Sequence, residues 1–203
     1  MKSSSNNYLR GMTLVELLVV IAVVSLVGVA LSGAIQYFYR SNAFLLEQTA
    51  ALDNARRGVR EAVVAVREAS YGDDGSYPIA YAATSTLVFY SDFDKDDSVE
   101  KETYTLINGV LYRAVVNSAG SPASYAGQPI STSTVATYVT NSTSTPLFTY
   151  YDQNGVQLSA TSTDESGIAS VRISLMVDLN PLRAPNVFTL TETATLRNLR
   201  ITE

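Results

Sequence analysis

The strongest pattern in the chain is an apolar run near its amino end. From Leu17 to Tyr39 there are 23 consecutive residues without a charge, densest in LLVVIAVVSLVGVALSGAI from Leu17 to Ile35. About 20 apolar residues suffice for a helix to cross the hydrocarbon of a bilayer. Beyond the run, the composition still favours helix. From Tyr37 to Ala69 there is no Pro and a single Gly, and Leu45, Leu52, Ala55, Val59, Ala62, Val63 and Val66 recur at spacings of three, four and seven. That spacing is one face of a helix. Glu47, Asp53, Arg56, Arg57, Arg60, Glu61, Arg67 and Glu68 fill most of the other faces. A helix read from Met12 to Ala69 is about 58 residues and about 87 Å long. Its second half is amphipathic, so it is expected to lie against a folded domain.

Tyr71 to Pro78 (YGDDGSYP) carries turn residues that end the helix. The pattern then changes to strands. Thr86 to Ser91, Glu102 to Ile107 and Val110 to Val116 are rich in β-branched and aromatic residues. The last two are joined by Asn108-Gly109, a strong hairpin signal. Further strands are expected at 147–151, 156–160 across an Asn154-Gly155 turn, 168–179 and 187–199, with a short one at 135–139. Short connections predict an antiparallel sheet with one face covered by the helix, an α+β fold.

Composition narrows the chemistry. There are 14 Lys plus Arg against 19 Asp plus Glu, a net charge of −5, so a nucleic-acid backbone is repelled more than gripped and no direct nucleic-acid binding is expected. Cys and His are absent, which removes disulfides, thiolate zinc sites and every nucleophile-His arrangement. An enzyme is disfavoured on these grounds. Paired carboxylates of a hydrolase would need two acids set about 5 or 9 Å apart across a cleft, and nothing in the sequence fixes such a pair.

The flanks of the apolar run set its orientation. MKSSSNNYLRG is short and polar, with Lys2 and Arg10 as its only charged side chains. Such a flank stays cytoplasmic, which places everything after Arg40 outside. A secretory signal would put a small-residue cleavage site after the apolar stretch, and Ser32-Gly33-Ala34 offers one. Gly11 is a small residue before the stretch. Glu16 opens the run, a costly place for a carboxylate unless it sits at headgroup level or meets a positive partner.

Gly11-Met12-Thr13-Leu14-Val15-Glu16-Leu17-Leu18-Val19-Val20-Ile21-Ala22 resembles the prepilin cleavage and methylation signature of type IV pilins and type II secretion pseudopilins. The resemblance implies cleavage by a prepilin peptidase between Gly11 and Met12, with residues 1–11 as leader. It implies N-methylation of Met12, where family members more often carry Phe. Glu16 then matches the glutamate that neutralises the terminal amine of a neighbouring subunit during assembly. The implied fold is the pilin-like ladle, a long helix whose first half (about 14–39) is transmembrane, packed on an antiparallel sheet. Residues 12–69 form the helix and 70–203 a periplasmic or extracellular β-rich domain. The implied partners are the peptidase, other pilin subunits through the helix, the inner-membrane assembly platform and the lipid bilayer. Gly33 falls where many pilins carry a helix-weakening Pro; local melting there and close helix packing at Gly28 and Gly33 are both open. Thr86 to Arg113, with LFTYYDQNGVQL and TATLRNLR later, is similar to the sheet region of J-like or W-like minor pilins.

Two segments carry something besides packing. Between two strands lie Asp92, Asp94, Asp96 and Glu100, alternate carboxylates of a kind that suits a hard cation such as Ca²⁺. The loop is not an EF-hand, since Asp97 stands where Gly is required and Thr103 where the bidentate Glu belongs. A solvated acidic turn with Asx-type hydrogen bonds is the alternative, and then no metal or cofactor is bound. From Ala114 to Tyr151 there are 38 residues without a charge, dense in Ser and Thr. Residues 114–146 of this stretch are expected to be an exposed insertion. Asn141-Ser142-Thr143 is formally an N-glycosylation acceptor.

Three roles follow. The first is a minor pilin or pseudopilin of a type IV pilus-like filament, with a type II secretion or DNA-uptake pseudopilin as alternatives within the class. The second is a membrane-anchored extracellular binding module, with either the Asp92–Glu100 loop, where calcium could bind, or the Ser/Thr-rich insertion making the contact. The third is the carboxylate hydrolase already disfavoured.

Overall fold

The structure is a computed structural model. It describes residues 13–96, 98–159, 165–179 and 187–197. The chain divides into two compact units, residues 1–47 and 48–203. A single helix, α1, runs Leu14–Arg67, so it begins in the first unit and ends in the second.

In the first unit, α1 leaves its large apolar side chains exposed from Leu14 through Leu46, apart from the half-buried Phe44. Two hydroxyls within its apolar run are satisfied locally. Ser25 Oγ donates to the Ile21 carbonyl at 2.7 Å and Ser32 Oγ to the Gly28 carbonyl at 2.8 Å. The helix passes through Gly28 and Gly33 without a break.

In the second unit, α1 buries Ala55, Gly58, Val59, Ala62, Val63, Ala65 and Val66. Leu45, expected on this face, belongs to the first unit and is 52 % exposed, and Leu52 is half-buried. The covered face therefore starts at Ala55. Its residues are small, and one of them must be: a Cβ on Gly58 would overlap Val135 Cγ1 and stand 3.0 Å from the Val135 carbonyl oxygen. The helix ends with Arg67 holding the last strand through its guanidinium, which donates to the Thr193 carbonyl at 3.0 Å.

Among the described residues nine strands follow: β1 Ile79–Ala82, β2 Thr86–Ser91, β3 Glu100–Ile107, β4 Val110–Val116, β5 Ser131–Ala136, β6 Phe148–Tyr151, β7 Gln157–Leu158, β8 Ser170–Val177 and β9 Phe188–Thr195. They form two antiparallel sheets rather than the single one expected, β1-β2-β3-β4-β5 and β7-β6-β8-β9. The change of sheet has a local cause. After β5, Tyr138 takes a left-handed φ of 59°, and Val139 then bridges Val177 of β8 instead of continuing along β4. The two sheets are stitched there: Val139 N donates to the Gly109 carbonyl, Thr140 N to that of Met176, and Leu147 N to that of Thr84, each at 2.9 Å.

The core lies between the helix and the sheets. Phe89 and Tyr104 stack in it with ring centroids 6.0 Å apart. Leu87, Leu111, Phe148, Tyr150, Ile173 and Leu175 complete it, all at most 1 % exposed. Asn108 (φ 50°) and Gly109 (φ 76°) make the β3–β4 hairpin, the pair of positive φ values that the Asn-Gly signal predicts. Strand β1 has no sequence signal, being four residues of mixed character at an edge.

The Ser/Thr-rich stretch is ordered into the fold in two places. Residues 131–136 are β5, paired with β4 from Leu111 to Val115. Tyr125 is 9 % exposed, and its hydroxyl donates to the Val99 carbonyl at 2.6 Å. Asn141, the formal glycosylation acceptor, is committed to packing: its Nδ2 donates to the carbonyls of Thr145 and Ser174, and its Oδ1 accepts from Met176 N at 2.8 Å.

Candidate functional site

The amino-terminal stretch is built around the first turn of α1. Thr13 precedes the helix and Glu16 is its third residue, the Thr-x-x-Glu spacing of a capping box. The Glu16 amide donates to Thr13 Oγ1 at 3.3 Å. The Glu16 side chain is exposed. An acid in the first turn also suits the positive end of the helix dipole. The helix from Leu14 is long and apolar enough to cross a membrane, and its apolar window is not buried by any part of the chain described. At its far end Tyr37, Phe38 and Tyr39 are 72–78 % exposed and Arg40 follows, the aromatic and basic residues that favour a membrane–water interface.

The acidic loop between β2 and β3 is built by the strands on either side. Along β3 burial alternates, so Glu100, Glu102 and Tyr104 face inwards while Lys101, Thr103 and Thr105 are partly exposed. Two carboxylates thus occupy positions that a hydrophobic strand would fill with apolar side chains. They are handled differently. Glu102 is fully buried and paired: Oε2 accepts from Arg113 Nε at 2.8 Å and Oε1 from Ser91 Oγ at 2.8 Å. Arg113, 9 % exposed, also stacks its guanidinium 3.6 Å from the Phe93 ring centroid. Glu100 is 2 % exposed, and its Oε2 accepts from Phe93 N at 2.9 Å.

Glu100 Oε1 and Asp92 Oδ1 are both buried and have no hydrogen-bond partner. Asp92, Asp94 and Glu100 each place one carboxylate oxygen within 4.8 Å of the others. Burial pushes the Glu100 carboxyl above its ordinary value; the Phe93 amide opposes this, and the charges of Asp94, Asp96 and Asp92 add to it. Asp96, expected in the same group, is turned away to cap the loop, its Oδ1 accepting from Ser98 N at 2.9 Å. Asp97 lies outside the described residues.

The loop is tied to the segment that leaves the helix. Asp73 Oδ2 accepts from Val99 N at 3.2 Å and from the hydroxyls of Ser98 and Ser118. Tyr125 joins the same knot, its hydroxyl oxygen accepting from Asp73 N at 3.1 Å.

Residues 7–32 match the prokaryotic N-terminal methylation motif. The chain carries the type IV pilin and pseudopilin signature. No curated protein matches the chain in a similarity search. The motif overlaps the start of a helix long and apolar enough to cross a membrane. The α+β, pilin-like architecture stands with it: a long amino-terminal helix with its second half against antiparallel sheets. Of the positions the resemblance singles out, Glu16 lies in the described helix, while Gly11 and Met12 lie outside the described residues.

Sequence reasoning passed over three residues that organise the head: Glu102, Arg113 and Asp73. A signal existed for the first, since Glu102 shares its parity along the strand with Tyr104 and Leu106. Arg113 has the same kind of signal, alternating with Leu111 in a strand otherwise apolar on that face. Asp73 has none, because its partners are 25 or more residues distant in the chain.

Proposed function

We propose that this chain is a minor structural subunit of a type IV pilus-like filament, assembled from the inner membrane. A prepilin peptidase removes residues 1–11, Met12 becomes the N-methylated terminus, and Glu16 neutralises that terminus on a neighbouring subunit. The head is delivered outside the membrane while Lys2 and Arg10 hold the leader in the cytoplasm. What carries this reading is one coincidence: the methylation motif at residues 7–32 overlaps a helix whose apolar run is exposed among the described residues. In a bilayer those side chains face lipid. In a filament they face the same helix of other subunits, where van der Waals packing between helices and one charge pair in low dielectric favour association. The other partners under this reading are the inner-membrane platform and further pilin subunits. A type II secretion or DNA-uptake pseudopilus uses the same amino-terminal chemistry, and genome neighbourhood separates the three.

Glu16→Gln is the sharpest variant, because the amide preserves the shape of the capping residue and removes only the charge. The variant is expected to enter the membrane at the wild-type level and to fall at least about tenfold in sheared filaments, the loss of a charge pair worth about 1.4 kcal/mol or more. Wild-type recovery of the variant in filaments contradicts this role for Glu16.

A further inference from the structure

We propose that Asp92, Asp94 and Glu100 hold a divalent cation of the calcium type, which closes the β2–β3 loop onto the buried end of β3. The inference concerns the head alone and stands whether or not the chain assembles into filaments.

Three observations carry it. The first is convergence: three carboxylates from a nine-residue stretch bring one oxygen each within 4.8 Å of the others. Ligands about 2.4 Å from a shared Ca²⁺ are never more than about 4.8 Å apart, so the group fits one coordination sphere. The second is the state of Glu100. Its side chain is carried inward by the alternation of β3 to 2 % exposure, yet Oε1 meets no donor, and neither does the buried Asp92 Oδ1. A buried carboxylate oxygen without a partner costs free energy unless a cation or donor satisfies it. The third is the lack of a protein cation. Among the described residues no Lys or Arg forms an ion pair with Asp92, Asp94 or Glu100; the nearby Arg113 pairs with Glu102 through Nε and lies over Phe93, and its Nη2, though without a partner, makes no hydrogen bond to the cluster.

The surroundings suit a bound ion more than a mobile acidic turn. Lys95, beside Asp94, takes a left-handed φ of 60° in this loop. Asp96 caps Ser98, and Asp73 accepts from Val99, so both limbs of the loop are fixed beside the cluster. An all-oxygen, all-carboxylate set in an irregular loop selects a hard cation with flexible coordination, which favours Ca²⁺ over the strict octahedron of Mg²⁺. Water supplies the remaining positions.

The test uses the full chain in detergent, cleared with EGTA and titrated with CaCl₂ by calorimetry, with thermal unfolding followed by circular dichroism. One Ca²⁺ per chain is expected, with a Kd of about 10⁻⁴–10⁻³ M or tighter, and saturation is expected to raise Tm by roughly a few degrees. Asp94→Asn and Glu100→Gln should each weaken binding by at least about tenfold, while Asp96→Asn stays within about twofold. Glu100→Gln removes a buried charge at constant shape, so its fold in EGTA should match the wild type with only the Ca²⁺ response lost. If that variant does not fold, the exposed Asp94→Asn decides alone. No heat and no shift in Tm at about 10 mM Ca²⁺ overturns the site. So does equal stabilisation by NaCl at matched ionic strength, or a loss from Asp96→Asn as large as from Asp94→Asn; either marks diffuse screening of an acidic turn.

Discussion

Glu102 is a carboxylate with no exposed surface, and it is tolerated because every one of its oxygens has a donor. Removing one member of a buried pair leaves an uncompensated charge, at a cost of about 3–5 kcal/mol, whereas replacing both by apolar residues is often neutral. The Glu102–Arg113 pair thus links β3 to β4, and through Ser91 to β2. Tyr125 works by a neutral bond instead. Burial, with the nearby charges of Asp73 and Asp74, pushes its hydroxyl up to about 12 from an ordinary value near 10. A folded-state value above the unfolded one means the folded chain holds the proton longer. Its contribution is therefore complete below about pH 10 and is lost as pH rises towards 12. Wild-type Tm should fall through that window more steeply than the Tm of Tyr125→Phe. Parallel curves for the two proteins contradict the role given to this hydroxyl.

At the scale of elements, α1 joins two kinds of helix. From Leu17 to Ile35 it shows apolar side chains all round, as a helix does whose surroundings are lipid or other helices. From Ala55 on it is an ordinary amphipathic helix with a face of Ala, Gly and Val. Gly58 is where helix and β5 come closest, and it sets a clear opposition of effects. Ala is favoured over Gly in a helix by about 1 kcal/mol. Here its Cβ meets both the side chain and the backbone oxygen of Val135, and backbone yields less readily than a side chain tip. Overpacking of this kind costs about 1–3 kcal/mol, so Gly58→Ala should be net destabilising. A rise in Tm on that substitution would show that β5 moves away freely. The helix itself was legible from periodicity over nearly its whole length, and the β3–β4 hairpin from Asn108-Gly109. Neither the division into two sheets nor the hydrogen bonds that tie Asn141 to β8 were. Both depend on one backbone reversal at Tyr138 and on hydrogen bonds between residues over thirty positions apart, which no local pattern records.

For the molecule as a whole, the amino-terminal motif was readable because it is local: Gly11, Glu16 and the unbroken apolar run lie in one continuous segment, most of it inside the matched residues 7–32. The head was readable only as a class. Its acidic loop offered four alternate carboxylates, of which the fold gathers Asp92, Asp94 and Glu100 and diverts Asp96. Geometry across strands made that selection, not spacing along one. The filament account rests in the end on a covalent event, cleavage after Gly11. The most direct measurement is the intact mass of the membrane-extracted protein, expressed with and without a prepilin peptidase. The account predicts that the peptidase removes residues 1–11 and that the new Met12 terminus gains a single methyl group. A chain left uncut in its presence, or cut near Ala34, contradicts it.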